Sequence, residues 1–304
     1  MSLGEVEFSI SLNVNETLKE MVVKSVEAER GGLDQVWVGD HPDQRYPAIA
    51  AGLIAENTKK IRIGLGPLSP LLHPAAHISA MLTTLVEAYG PRFDLCLIPG
   101  DRLKLESVGI AYRGDIPNRI LESLEAIRGK LSKWDIEARI WLGAQGPKTL
   151  RISKGFDGVL INLSDPKMIE AVINKSSIKQ YLKNGDFRIG IFSPSYIHRR
   201  YDPAISRSAE EAALQVIRGA SKALLKSFNL GEIIRCIGEA YPEGIPREIL
   251  GRFHVSMPTH KLGEYINVLR DMGVSHFAFA FPQNSKIDLI GDLAYAVKLI
   301  RGRP

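Results

Sequence analysis

The sequence predicts a single-domain α/β protein, a (β/α)8 TIM barrel. Three observations carry that prediction: eight short β-rich runs, a helical pattern after nearly every run, and a chain of 304 residues that suits eight such units. Strand alternating with helix implies parallel strands joined by right-handed crossovers. An open doubly wound sheet would offer five or six strands and a G-x-G-x-x-G turn after the first, and that turn is absent.

In chain order the runs are VEFSISL (6–12), QVWVG (35–39), KIRIGLG (60–66), RFDLCLI (92–98), ARIWLG (138–143), DGVLINL (157–163), FRIGIFS (187–193) and SHFAFAF (275–281). Each is rich in β-branched and aromatic residues and bounded by turn formers. The first helix is expected over 15–31, where Leu18, Met21, Val22, Ser25, Val26 and Glu29 follow a three-four spacing and Gly31–Gly32 supplies a stop. Further helical patterns cover 47–57, 74–89, 117–131, 147–154, 165–174, 207–228, 259–272 and 286–301. Residues 176–256 are the least regular, with turn signals at YPEGIPRE (241–248). They are expected to form an insertion around the seventh barrel unit of one domain, 1–304, since barrels grow by such loops.

Composition narrows the function classes. Hydrophobic residues make up 45% and charged residues 24%, ordinary for a globular chain with a sizeable core. No window approaches 18 uninterrupted apolar residues and the N-terminal stretch lacks the order of a secretory signal, so a soluble, cytoplasmic protein that does not engage membranes is expected. Cys96 and Cys236 are too far apart for any metal-ligand spacing and suit a reducing compartment. The net charge of +5 is dispersed, and its densest run, HRRYDPAISRS (198–208), holds one aromatic, Tyr201, so no nucleic-acid partner is expected.

In such barrels the active site forms at the carboxyl ends of the strands, which here carry mostly small or polar residues. These are Ser11 and Asn13, Asp40 and His41, Gly64 to Pro70, Pro99 to Asp101, Gly143 to Lys148, Asn162, and Phe281 to Asn284. Asp40 and His41 are adjacent, so they cannot both point down the barrel axis, but a bend would bring both to one ligand. Asp40 can orient His41 or accept from a ligand ring N–H; the alternative is an Asx cap before the helix at Pro47, with a surface histidine.

In LGAQGPKTL, Gly143, Ala144, Gln145 and Gly146 precede a helix that begins at Pro147, and the glycines let backbone N–H groups approach an anion. This is a candidate phosphate cradle with Lys148 adding charge; a plain tight βα turn is the alternative. Gly100 and Asp101 are a weaker candidate, equally a turn and a cap. His73 and His77 are four apart, a metal-ligand spacing, but no third ligand completes the set and no metal is expected. In IRIGLGPLSPLLHP (61–74), Gly64, Gly66 and Pro67 end the third strand stiffly, and an X–Pro bond admits the cis form. A cis bulge there would press against a flat ligand ring; the alternative is a trans Gly–Pro turn that touches no ligand.

The residues GLDQVWVGDH, KKIRIGLGPLSP, HPAA, PGDRLKLESVGI and IWLGAQGPKTLRISKGFDGVLINLSDPK resemble the bacterial luciferase-like superfamily. They are most similar to the coenzyme F420-dependent methylenetetrahydromethanopterin reductases of archaea. The resemblance spans about 30–170 and returns at 258–283. It implies a barrel that holds a 5-deazaflavin at the strand carboxyl ends and passes hydride to or from a pterin-bound one-carbon unit. It also implies that Asp40 and His41 lie beside the deazaflavin, that Gly66–Pro67 backs the ring where relatives have a non-prolyl cis peptide, and that the phosphate lies near Gly143–Gly146. Relatives form dimers, so a homodimer or higher homo-oligomer is expected. Three departures stand out. Ser11 replaces a glutamate, Cys96 and Ile98 replace small residues, and HVSMPTHK lacks a glycine before the final helix. The loss of the glutamate removes a candidate proton donor at Ser11. Two alternatives follow: an FMN-dependent monooxygenase of the same superfamily, or a paralogue that binds a ligand without turnover.

Overall fold

All eight β-rich runs form strands, and the strands close on themselves. In the computed structural model, which describes residues 6–13, 15–184, 186–231 and 245–302, they are β1 (Glu7–Leu12), β2 (Gln35–Val38), β3 (Arg62–Leu68), β4 (Phe93–Leu97), β5 (Arg139–Ala144), β6 (Gly158–Ile161) and β7 (Arg188–His198), with Val274–Ala280 completing the ring. Every pairing is parallel, running β1 to β7 in order and then through Val274–Ala280 back to β1. A short strand that the sequence did not reveal, β8 (Val255–Pro258), pairs with the far end of β7 from Ser195 to His198 outside the ring. The closing strand Val274–Ala280 is therefore β9. Cys236 and residues 241–244 of the expected turn lie outside the described residues.

The helices include α1 (Leu18–Gly31), α2 (Pro47–Asn57), α3 (Ala75–Tyr89), α4 (Arg102–Ser107), α5 (Ile116–Lys133), α6 (Pro147–Leu150), α7 (Pro166–Ser176), α8 (Pro203–Gly219) and α9 (Lys222–Ser227). α1 starts three residues later than expected because Thr17 and Glu20 form a reciprocal capping box. The helix expected over 207–228 is two helices: Ala220 takes an extended conformation and Ser221 caps α9 by accepting from the Leu224 N–H at 3.2 Å. α6 ends at Leu150, half the length expected, which weakens any helix-dipole contribution at Gly146. No helix among the described residues is long and apolar enough to cross a membrane.

Alternation along the strands sorts side chains into two cores. Phe8, Ile10, Val36, Ile63, Leu65, Phe93 and Leu95 belong to the large cluster beneath the helices. Trp37, Cys96, Trp141, Leu160 and Ala278 form a separate cluster that fills the barrel lumen. The two indoles stand edge to face, 6.3 Å apart at 83°. Room for them comes from neighbouring strands: a Cβ on Gly64 would overlap the Trp37 ring, and one on Gly158 would lie 2.8 Å from Trp141.

The amino ends of the strands carry charge instead. Glu7 meets Arg139 at 3.0 Å and Arg188 at 2.9 Å, while Asp94 pairs with Arg62, lies 3.3 Å from Arg139 and accepts from Gln35 at 3.0 Å. Burial pushes the Glu7 carboxyl up, but the His276 hydrogen bond and the charges of His276, Arg139 and Arg188 outweigh it and hold the group at about 2. This face of the barrel serves stability, since breaking one buried pair leaves its partner's charge uncompensated.

Candidate functional site

The opposite end opens into a cavity of about 1160 Å³. That volume slightly exceeds the usual range for one small-molecule site, about 300–1,000 Å³. Its floor is the top of the lumen core, Trp37, Cys96, Leu160 and Phe192, and its walls come from the loops after β4 and β5 and from α7, α8 and α9. Burial pushes the Cys96 thiol up, so it sits there as an uncharged packing group.

The strand-end reading finds much of this wall. Pro67, Gly100, Asp101, Gly143, Ala144, Gln145, Gly146, Lys148 and Asn162 all line the cavity. The Gly66–Pro67 peptide is cis, and pairing of β3 with β4 resumes beyond it at Leu68 and Leu97. Gly66 itself is not in the lining; its φ of +125° and a Cβ that would lie 2.6 Å from the Cys96 carbonyl oxygen restrict the position to glycine. The Gln145 Nε2 donates to the Val216 carbonyl at 3.3 Å, tying the β5 loop to α8.

Four other candidates sit elsewhere. Gly64 is a packing residue beneath Trp37 and does not face the cavity. Ser11 is buried, and its carbonyl accepts from Asn284, which also donates to Asn13 at 3.1 Å. Asp40 and His41 do not pair with each other. Asp40 Oδ2 lies 2.8 Å from His73 Nε2, with Tyr46 edge-on to that imidazole, whereas His41 Nδ1 meets Asp43 at 2.6 Å. The His41 hydrogen bond holds Asp43 below the usual carboxylate range. Neither Asp40 nor His41 is in the cavity lining.

Electrostatics give the cavity its character. Among the described residues, Arg102, Lys148, Arg151, Lys175 and Arg218 line it against one carboxylate, Asp101. Arg102 shares its charge with Glu106 at 2.9 Å, and Lys175 lies 6.0 Å from the centre of the Phe228 ring. Sequence reasoning found only Lys148 of this set. Arg151 follows Lys148 by three residues at the end of α6, and the others come from α4, α7 and the C-terminal end of α8, up to about a hundred residues apart, so no local motif announces those three. Asn162 adds a second feature: its Oδ1 is buried without a hydrogen-bond partner, while its backbone N–H donates to Ala144. An orphaned acceptor at a cavity wall suits a ligand that donates an N–H or O–H.

The sequence profile of the family described as luciferase-like monooxygenase matches residues 5–243. The chain belongs to that family. A relative named 5,10-methylenetetrahydromethanopterin reductase, from Archaeoglobus fulgidus, is 27% identical over 87% of this chain and 91% of its own length. Among solved structures, the coenzyme F420 dependent tetrahydromethanopterin reductase of Methanopyrus kandleri superposes with a TM-score of 0.81 at 20% identity, covering 95% of this chain and 98% of that one. An F420-dependent secondary alcohol dehydrogenase in complex with an F420-acetone adduct gives a TM-score of 0.72 at 15% identity, covering 96% and 99%. At these identities the two structures establish the shared luciferase-like (β/α)8 fold.

Proposed function

We propose that the chain is an oxidoreductase that binds coenzyme F420 in this cavity and passes hydride between the deazaflavin and a pterin-bound one-carbon unit. The observation that carries the reading is the charge imbalance of the cavity, five cations against one carboxylate among the described residues. Such a wall suits a ligand with an anionic tail. An apolar floor suits a flat ring. The orphaned Asn162 Oδ1 and the open space around Gly146, where a Cβ would meet nothing within 4 Å, fit the donors of such a ring and the close approach of a phosphate. The activities for which the relatives are named support the same choice.

A bound deazaflavin supplies the hydride chemistry. The chain supplies position and electrostatics. Lys148, Arg151 and Arg218 hold the tail, Pro67 and Trp37 bound the ring site, and Asn162 accepts from a ligand N–H. The lumen core beneath them excludes water. The Asp40–His73 pair, at the rim after β2 and β3, is a place where a proton can be held, in the absence of a carboxylate at Ser11. The proposal includes a homodimer or higher homo-oligomer, supported by the exposed apolar residues Tyr46, Ile49 and Leu53 around α2, and it keeps residues 176–256 as an insertion within one domain.

Gel filtration after incubation with F420 or with FMN tests the reading, followed by mixing the reduced F420 complex with a methylene-tetrahydropterin. Co-elution of F420 and its oxidation on mixing are expected. Co-elution of FMN alone would transfer the assignment to a monooxygenase, and co-elution of neither would overturn it.

A further inference from the structure

The barrel lumen holds an acid, an imidazole and a hydroxyl in one hydrogen-bonded line. Glu7 Oε2 lies 3.1 Å from His276 Nδ1, and His276 Nε2 lies 2.8 Å from Ser9 Oγ. The line continues toward the site, because Trp37 Nε1 donates to the same Ser9 Oγ at 3.2 Å. It therefore runs from Glu7, among the charges at the amino ends of the strands, to Trp37 at the cavity floor. Its members come from β1, β2 and β9, so closing the barrel is what assembles it.

Carboxylate, imidazole and hydroxyl in this order also make a hydrolase nucleophile. That role does not fit here. Ser9 and His276 are both 0% exposed, Ser9 Oγ accepts the indole N–H and lies 3.3 Å from the Phe277 carbonyl, and Ser9 is not in the cavity lining. Nor is the line needed to fill space. An apolar lumen would avoid the desolvation of three polar side chains, and Trp141, in the same layer, is buried with its Nε1 unpartnered. What the line adds is direction. An indole has a single N–H, so its bond to Ser9 Oγ, with His276 Nε2 at 3.4 Å as a second acceptor on the same side, selects one of the two ways the Trp37 ring can lie in its slot, at 83° to both Trp141 and His276.

We propose that Glu7, His276 and Ser9 are positioning residues that lock the Trp37 indole in the orientation forming the floor under the cofactor ring, an inference that rests on the flavin-like reading of the cavity. Glu7 fixes the imidazole, the imidazole fixes the Ser9 hydroxyl, and the hydroxyl fixes the indole. The column thus couples the charged amino-terminal face of the barrel to the shape of the site at the other end.

The test compares Ser9→Ala with Ser25→Ala, which also removes a buried hydroxyl bond (to the Met21 carbonyl, 2.8 Å) but in α1, outside the lumen. Both are made with Trp134→Phe to silence the exposed tryptophan, 58% accessible. Ser9→Ala is expected to shift and broaden the tryptophan emission and to raise the Kd for F420, or for FMN, about tenfold, the scale of one lost hydrogen bond. Ser25→Ala is expected to lower the melting temperature while leaving emission and Kd unchanged. Ser9→Thr, which keeps the hydroxyl, should preserve both readouts and covers the case in which Ser9→Ala does not fold. Unchanged emission and Kd in Ser9→Ala, or loss of both in Ser9→Thr, overturns the positioning role. Failure of the unsubstituted protein to bind either cofactor overturns the flavin-like reading beneath it, and that result is seen without any substitution.

Discussion

Replacing Glu7 with glutamine should make the protein less stable by an amount that shrinks as the solution is acidified. The native carboxyl is held at about 2, against an ordinary 4.5, by His276, Arg139 and Arg188 despite its burial. A depressed native value means that the stabilisation is fully present above 4.5 and is lost as pH falls toward 2. The difference corresponds to about 3 kcal/mol at pH 7 at 1.36 kcal/mol per unit, reduced to about half of that by pH 3. Urea unfolding of the parent and of Glu7→Gln at pH 7, 5, 4 and 3 measures it. Comparing the two proteins at each pH cancels the other carboxylates, including Glu29, whose backbone hydrogen bonds also lower its value. The expected gap is about 3 kcal/mol at pH 7 and 5, narrowing below pH 4. A gap that is constant from pH 7 to pH 3 would refute the reasoning, since it would mean that the ion cluster does not hold the carboxylate ionised.

Gly64→Ala should destabilise the fold by about 1–3 kcal/mol in urea unfolding, because the added methyl overlaps the Trp37 ring in a close-packed lumen; unaltered stability would contradict that packing. Lys148→Ala and Arg151→Ala should each weaken F420 binding about 3- to 10-fold at low salt, with the loss shrinking as salt is raised. A salt-independent loss would point away from an anionic tail. Asp40→Ala removes the His73 pair at the rim, outside the cavity lining, and should slow hydride transfer in a stopped-flow assay while changing F420 affinity less than Lys148→Ala does; an unchanged rate would remove the pair from proton handling.

Much of the barrel was legible because strand runs and their helices are local patterns. β7 was placed correctly at its start but runs on to His198, because its end pairs with β8, four residues that carry no strand signal of their own. The cavity wall was legible where it is made of turns, as at Gly100 and Gly143–Gly146. It was not legible where the decisive neighbour is distant in the chain. Gly64 reads as a rim glycine until Trp37 is seen above it, and Asp40 reads as the partner of the adjacent His41 until His73 folds back onto it. Lys175 and Arg218 lie on ordinary helices, and only packing against the mouth turns them into part of one cationic wall.

The absorbance spectrum of the protein purified from a host that makes both flavins and the deazaflavin tests the central claim most directly. The account predicts the F420 band at about one cofactor per chain, lost on Lys148→Ala with Arg151→Ala. A flavin spectrum, or no chromophore even after added F420, would contradict it.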